Sequence, residues 1–192
     1  MEIDVKSSLD LSRASLIPTD WDLSPEALSL AIGSLSCELV KRLGELKIKL
    51  SCAESCTGGL LASYVTSVPG ASAVFELGAV TYSERMKSEL LGIPGQLIED
   101  CNVVSDNVAM AMAIGVRLLA GADMGIGITG IAGPDGGSAE RPVGTVFVSI
   151  NYNNQSFTEN LRLYELGSLT REQCRFLTVA YAVKAALIIL KG

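Results

Sequence analysis

The sequence predicts an α/β domain, a three-layer α/β/α sandwich built on a mixed, mostly parallel sheet. Three observations predict it. Helical and strand periods alternate through most of the 192 residues, which is the pattern of a sheet whose strands are joined by helical crossovers. Two strands run straight into loops rich in glycine and hydroxyl groups, "AESCTGG" and "TGIAGPDGG". In open α/β sheets, ligands sit at such strand ends. Two strand-like runs late in the chain, "VGTVFVSI" and "SFTENLRLYEL", are spaced as a hairpin, which adds antiparallel pairing.

Each element has a local reason. Residues 1–23 show no clear period and read as a loose N-terminal extension, so the domain is expected over 24–192. Ser24 caps a helix with Pro25 in its first turn, and Gly44 can end it. Leu28, Ile32, Leu35 and Leu39 share one face of that helix. "KIKLSCAE" alternates as a strand, and "LLASYVTSV" reads as a helix starting near Gly58. "GAVTYS" is a second strand, and "ERMKSELLG" is a helix stopped by Gly92. Ser105 caps the helix "DNVAMAMAIGVRLLAG", which Gly121 ends. "DMGIGIT" is a buried strand, and a last helix is expected from about Ser168 to Leu190.

Composition excludes several functions. Hydrophobic residues are 48%, charged residues 19%, and the net charge is −6. A folded core is expected, and an acidic chain argues against nucleic-acid or anionic-membrane partners. The most apolar run, Leu177 to Leu190, carries Lys184 and falls short of the roughly 20 residues a bilayer span needs. The start lacks a basic, then apolar, leader, so a cytoplasmic protein is expected. There is no histidine, and Cys52 and Cys56 stand four apart. No metal site and no cofactor are expected, and the five cysteines read as reduced thiols.

The two loops could do chemistry. "GITGIAGPDGG" holds five glycines in eleven residues, and exposed backbone N–H groups in such a loop can bind an anion or a carbonyl oxygen. The sequence is neither a Walker loop nor a dinucleotide fingerprint, and a wide turn would look the same. "AESCTGG" would lift Ser55 or Cys56 onto a turn at a helix N-terminus, where a developing oxyanion is favoured. The plainer reading is that Ser55 or Thr57 caps the next helix.

A serine nucleophile needs a base. Without histidine, the remaining route is Ser-Lys, with or without a tyrosine relay. A free lysine has a pKa near 10.4, so a neutral amine at pH 7 needs a shift of about 3 units, roughly 4 kcal/mol. Of the seven lysines, Lys87 lies just past a predicted strand, five residues after Tyr82. An exposed helix lysine is the competing reading.

Taken in order, "AESCTGG", "GAVTYS" with its lysine, "GITGIAGPDGG" and "PVGTVFVSI" resemble the CinA C-terminal domain family over about Leu28 to Ala186. The resemblance implies hydrolysis of the carboxamide of nicotinamide mononucleotide to nicotinic acid mononucleotide and ammonia, without a metal. It implies Ser55 as nucleophile with Tyr82 and Lys87. It places the nucleotide on Thr129 and the backbone amides of the Thr129–Pro134 loop, Gly130 and Gly133 among them. By their own chemistry, Glu54 could bind ribose hydroxyls, and Thr57, Gly58 and Gly59 are further candidates to hold the nucleotide. Arg141, Arg171 or Arg175 would pair with its phosphate, with Arg85 a further candidate. Oxyanion donors would be amides near Gly58 and Gly59 or in the glycine loop. Glu54 could instead orient Lys87, or serve only as an acid at a helix N-terminus. Cys56 is the rival nucleophile. A homo-oligomer is implied, with a small-molecule nucleotide as the only other partner.

The family's pattern is not complete here. "GSLTR" stands where "GDR" is common, with Leu169 and Thr170 in place of Gly-Asp, while Arg171 and Arg175 keep their spacing. The pyrophosphatase domain of longer family proteins has no counterpart, nor have the first 23 residues. A nucleotide-binding module without catalysis, or an amidase for another small amide, would use the same loops.

Overall fold

The computed structural model describes residues 10–17 and 20–191. Residues 1–9, 18 and 19 of the expected extension lie outside the described residues. Seven α-helices and five strands follow in chain order within the described residues. They are α1 (Arg13–Leu16), α2 (Pro25–Leu46), β1 (Leu50–Glu54), α3 (Leu60–Thr66), β2 (Phe75–Val80), α4 (Glu84–Leu91), α5 (Gly95–Cys101), α6 (Asp106–Ala120), β3 (Met124–Gly130), β4 (Val146–Tyr152), β5 (Gln155–Asn160) and α7 (Arg171–Ile189). No helix among them is long and apolar enough to cross a membrane.

The sheet order is β2-β1-β3-β4-β5. β1 pairs in parallel with β2 and β3, while β3–β4 and β4–β5 are antiparallel. Four strands therefore run one way and β4 alone runs against them, so the sheet is mixed as expected, with pairings divided evenly. Helices cover both faces. On one face, α2, α3 and α7 enclose Leu50, Cys52, Met124, Ile126 and Ile128. On the other, α4, α5 and α6 close over Ala53 with Leu91, Ile98, Val108 and Met112.

The alternation of β3 explains why the second layer sits so close. Met124, Ile126 and Ile128 point to one face, so Gly125 and Gly127 point to α6. A Cβ on Gly125 would lie 2.1 Å from the Ala113 carbonyl oxygen, and one on Gly127 would lie 2.3 Å from that of Ala109. The helix backbone rests directly on the strand, and only glycine permits that approach.

Several boundaries differ from expectation. α2 runs through Gly44 to Leu46, and Lys47 takes the left-handed position (φ 57°). That kink delays β1, which starts at Leu50 rather than at Lys47. β2 starts at Phe75, ahead of "GAVTYS", and stops before Thr81. α5 was not expected: it has seven residues and one buried position, Ile98, too little for a periodic signal.

Residues 10–17 and 20–23 are not loose. Leu16 and Ile17 are buried in the main core. Tyr181 Oη donates to the Leu11 carbonyl at 2.6 Å, and Lys184 Nζ to the Leu16 carbonyl at 2.9 Å. Lys184 also stands 4.6 Å over the Trp21 ring. Nearly every α7 residue from Leu177 to Ile189 is buried. A helix that is apolar all round must be covered on every side, and this segment covers the outer one. Burying a Leu or Ile side chain contributes about 1.5–3 kcal/mol.

Candidate active site

β1, β2 and β3 end side by side, and their C-terminal ends hold the site. Glu54 and Ser55 are consecutive, so they point to opposite faces of the sheet. The Ser55 N–H extends the ladder by donating to the Ile128 carbonyl at 3.0 Å, which aims its side chain toward α4. There it meets Lys87. Lys87 Nζ lies 3.1 Å from Ser55 Oγ and 2.7 Å from the Thr81 carbonyl oxygen. The Lys87 side chain is fully buried, and no ion-pair partner reaches it among the described residues. Burial pushes its pKa below the ordinary lysine value, opposed by the weaker effects of Cys56 and Glu84. An amine held in this way is suited to take a proton from the adjacent hydroxyl.

A cavity of about 620 Å³ opens above this pair, within the range of small-molecule sites. Ser55, Cys56, Tyr82, Lys87, Thr129, Gly130, Gly133 and Arg171 are among the residues lining it. Arg171 bridges two sides of its mouth. Its Nη1 donates to the Gly133 carbonyl at 2.6 Å and its Nη2 to Tyr82 Oη at 3.2 Å. Arg171 cannot accept a hydrogen bond, so the Tyr82 hydroxyl proton stays free to donate. Thr129 Oγ1 donates to the Val103 carbonyl at 2.8 Å, tying the end of β3 to the loop before α6.

Cys56 lines the cavity too, but burial pushes its pKa up to about 12. A thiol in that state is a poor nucleophile at neutral pH. Its backbone is more useful. Among the described residues the N–H groups of Cys56, Ala132 and Gly133 donate to no backbone carbonyl, and all three residues line the cavity.

The model of the CinA C-terminal domain family matches residues 33–190. The chain belongs to that family. A CinA-like protein of Geotalea daltonii is 52% identical over 129 residues, covering 67% of this chain and 30% of that protein. A CinA-like protein of Syntrophotalea carbinolica is 37% identical over 162 residues, covering 84% of this chain and 38% of its own. This CinA-family chain thus spans about a third of the length of the curated relatives it matches. The competence/damage inducible protein CihA of Agrobacterium tumefaciens superposes with a TM-score of 0.79 at 36% identity, over 84% of this chain and 96% of that one. A CinA-superfamily protein of Escherichia coli does so at 0.80 and 29%, over 94% and 99%.

Within this CinA domain, the other residues singled out from the sequence fall elsewhere. Glu54 lies under α3, 1% exposed, and accepts from the N–H groups of Gly59, Leu61 and Ala62 at 2.9–3.1 Å. It contacts neither the cavity nor Lys87, so the sequence-based place for it at the ribose is not where the fold puts it. Gly58 N–H donates to the Ser55 carbonyl and Gly59 N–H to Glu54, which leaves neither amide available as an oxyanion donor. Thr57 is buried beneath the turn. Arg175 Nε and Nη2 both donate to the Thr57 carbonyl, at 3.2 and 2.8 Å, and Arg141 is outside the lining. Arg85 lines the cavity but is also paired with Glu89.

The change from "GDR" to "LTR" has a simple reading. Thr170 is the N-cap of α7 and forms a capping box with Gln173. Threonine does there what aspartate would do, and Arg171 keeps its place as the first helical residue.

Proposed function

We propose that this CinA-family domain hydrolyses the carboxamide of nicotinamide mononucleotide, giving nicotinic acid mononucleotide and ammonia. The observation that carries the reading is the 3.1 Å contact between Ser55 Oγ and a fully buried lysine without an ion-pair partner among the described residues. Neutral Lys87 takes the Ser55 proton directly, since nothing stands between them. Ser55 Oγ then bonds to the carboxamide carbon. The carbonyl oxygen becomes an oxyanion, for which the Cys56 N–H and the glycine-loop amides are the available donors. Loss of one such donor typically costs roughly 100- to 1,000-fold.

The carbon–nitrogen bond breaks as the leaving nitrogen accepts a proton, from Tyr82 or from Lys87, and departs as ammonia. Water then attacks the acyl-enzyme, giving its proton to the same base. The product carboxylate leaves and Ser55 recovers its hydrogen. Arg171 is the arginine that suits the substrate phosphate, because it lines the cavity and uses only two of its five N–H donors inside the protein.

Ammonia release from nicotinamide mononucleotide with chelator present, beside a Ser55→Ala control, tests the reading. Release by the wild type alone is expected. Saturable nucleotide binding without ammonia would make the domain a binding module, and ammonia from a different amide only would change the substrate.

A further inference from the structure

We infer that Arg175 is a positioning residue: it holds the Thr57 carbonyl and so fixes the turn that carries Ser55 and the Cys56 N–H. The inference rests on Ser55 being the nucleophile, as proposed above. The turn from Ser55 to Gly59 is closed from within by backbone bonds alone, Gly58 N–H to the Ser55 carbonyl at 3.0 Å and Leu60 N–H to the Thr57 carbonyl at a longer 3.3 Å, among the described residues. Gly58 and Gly59 have φ of 61° and 89°, and α3 starts without a side-chain cap from its N-cap residue. The Thr57 hydroxyl has no hydrogen-bond partner among the described residues, so the Thr57 side chain does not hold the turn by such a bond.

Two charged groups lock it from outside. Glu54 ties the first turn of α3 to the end of β1 through three amides. Arg175 comes from the other side, out of α7, and places two N–H donors on a single oxygen, Thr57 O. The guanidinium also packs on Gly58, where an added Cβ would lie 3.6 Å from Arg175 Nη2. Arg175 has no carboxylate partner among the described residues, and bonds from a charged donor are the stronger kind. One helical turn separates Arg175 from Arg171. α7 therefore holds the nucleophile turn with one arginine and the cavity mouth with the other. The Ser55–Lys87 contact depends on where the turn sits, and a displacement of about 1 Å at a reacting group can cost on the order of 100-fold.

The test measures the rate at which a fluorophosphonate probe labels Ser55, read by mass spectrometry, in wild type, Arg175→Gln, Arg175→Lys and Arg175→Ala. Steady-state ammonia release from nicotinamide mononucleotide is measured beside it. Labelling of Arg175→Gln is expected to slow by about 10- to 100-fold, with kcat lowered and KM little changed. Arg175→Lys should fall between, and millimolar guanidinium should restore part of the labelling in Arg175→Ala. Wild-type labelling in Arg175→Gln, or slowing only in step with the unfolded fraction seen by circular dichroism, overturns the inference. If Arg175→Gln does not fold, the same comparison is decided by Arg175→Lys. A wild type that is labelled at Ser55 but releases no ammonia defeats the substrate assignment and leaves the labelling comparison to decide this inference. A wild type that is not labelled at Ser55 overturns the inference with its premise.

Discussion

Lys87 Nζ sits 3.1 Å from Ser55 Oγ and 2.7 Å from the Thr81 carbonyl oxygen, in a position closed to solvent. The carbonyl keeps the amine pointed at the hydroxyl. A carboxylate in the same place would hold the lysine charged and useless as a base. The carbonyl aims the amine, and it is burial that lowers the pKa.

Lys87→Met and Lys87→Arg should both lower kcat by about 100-fold or more, within the usual range for a lost general base. The arginine variant is the sharper test, because guanidinium keeps its proton. Substantial ammonia release by Lys87→Arg would mean that Lys87 acts as a charge and not as a base.

The pH profile follows from the same residue. Activity needs the neutral amine, so kcat/KM should climb with pH and level off below 10.5, the ordinary lysine value from which Lys87 is lowered. Cys56, pushed up to about 12, titrates too high to produce that limb. A limb that survives in Lys87→Met belongs to another group.

Stability should carry the opposite mark of this burial. The folded pKa of Lys87 is lower than the unfolded one. Between the two values the unfolded chain binds more protons, so stability rises with pH across that window. Below the folded pKa the cost of the buried charge is present in full. Urea unfolding from pH 7 to pH 10 should show wild type gaining on Lys87→Met as pH rises. Parallel curves for the two proteins would contradict the burial effect.

Tyr82 and Arg171 share a hydrogen bond but should separate kinetically. Tyr82→Phe should lower kcat by about 100-fold through loss of a proton donor. Arg171→Gln should raise KM for the phosphorylated substrate by roughly 10- to 100-fold, as expected for a lost charged hydrogen bond, with less effect on the unphosphorylated nucleoside. The double variant should be non-additive.

Gly127→Ala should destabilise the domain by about 1–3 kcal/mol through overpacking. Its Cβ would lie 2.3 Å from the Ala109 carbonyl oxygen and 2.5 Å from the Ala113 nitrogen. Thermal unfolding measures the loss, and a wild-type melting temperature would mean that α6 can shift freely.

Much of the fold was legible in the residues. Ser24 and Ser105 cap helices as their sequence positions suggest, and Gly92 and Gly121 end them. The "AESCTGG" turn, Tyr82 and Lys87 stood out as an ordered set of candidates through the family resemblance, and the fold brings Ser55 and Lys87 within 3.1 Å of each other. The role of Glu54 could have been read from parity alone, since a residue next to Ser55 on a strand must face the other side. The covering role of residues 10–17 and 20–23 was signalled by a final helix apolar on nearly every face, which cannot stand uncovered.

The sequence by itself determined the chemistry that is possible: no histidine, one lysine placed after a strand end, and a glycine-relieved turn bearing Ser55. These depend on composition and on periods of two and 3.6, which are local properties of the chain. Only the tertiary structure decided which arginine meets the cavity. Arg171 and Arg175 stand one turn apart on the same helix, with the same charge and reach. The docking of α7 against the nucleophile turn sends Arg175 to the Thr57 carbonyl and Arg171 to the cavity mouth. That docking is the sum of packing across α2, β4 and the N-terminal segment, contacts between residues far apart in sequence, which no local pattern encodes.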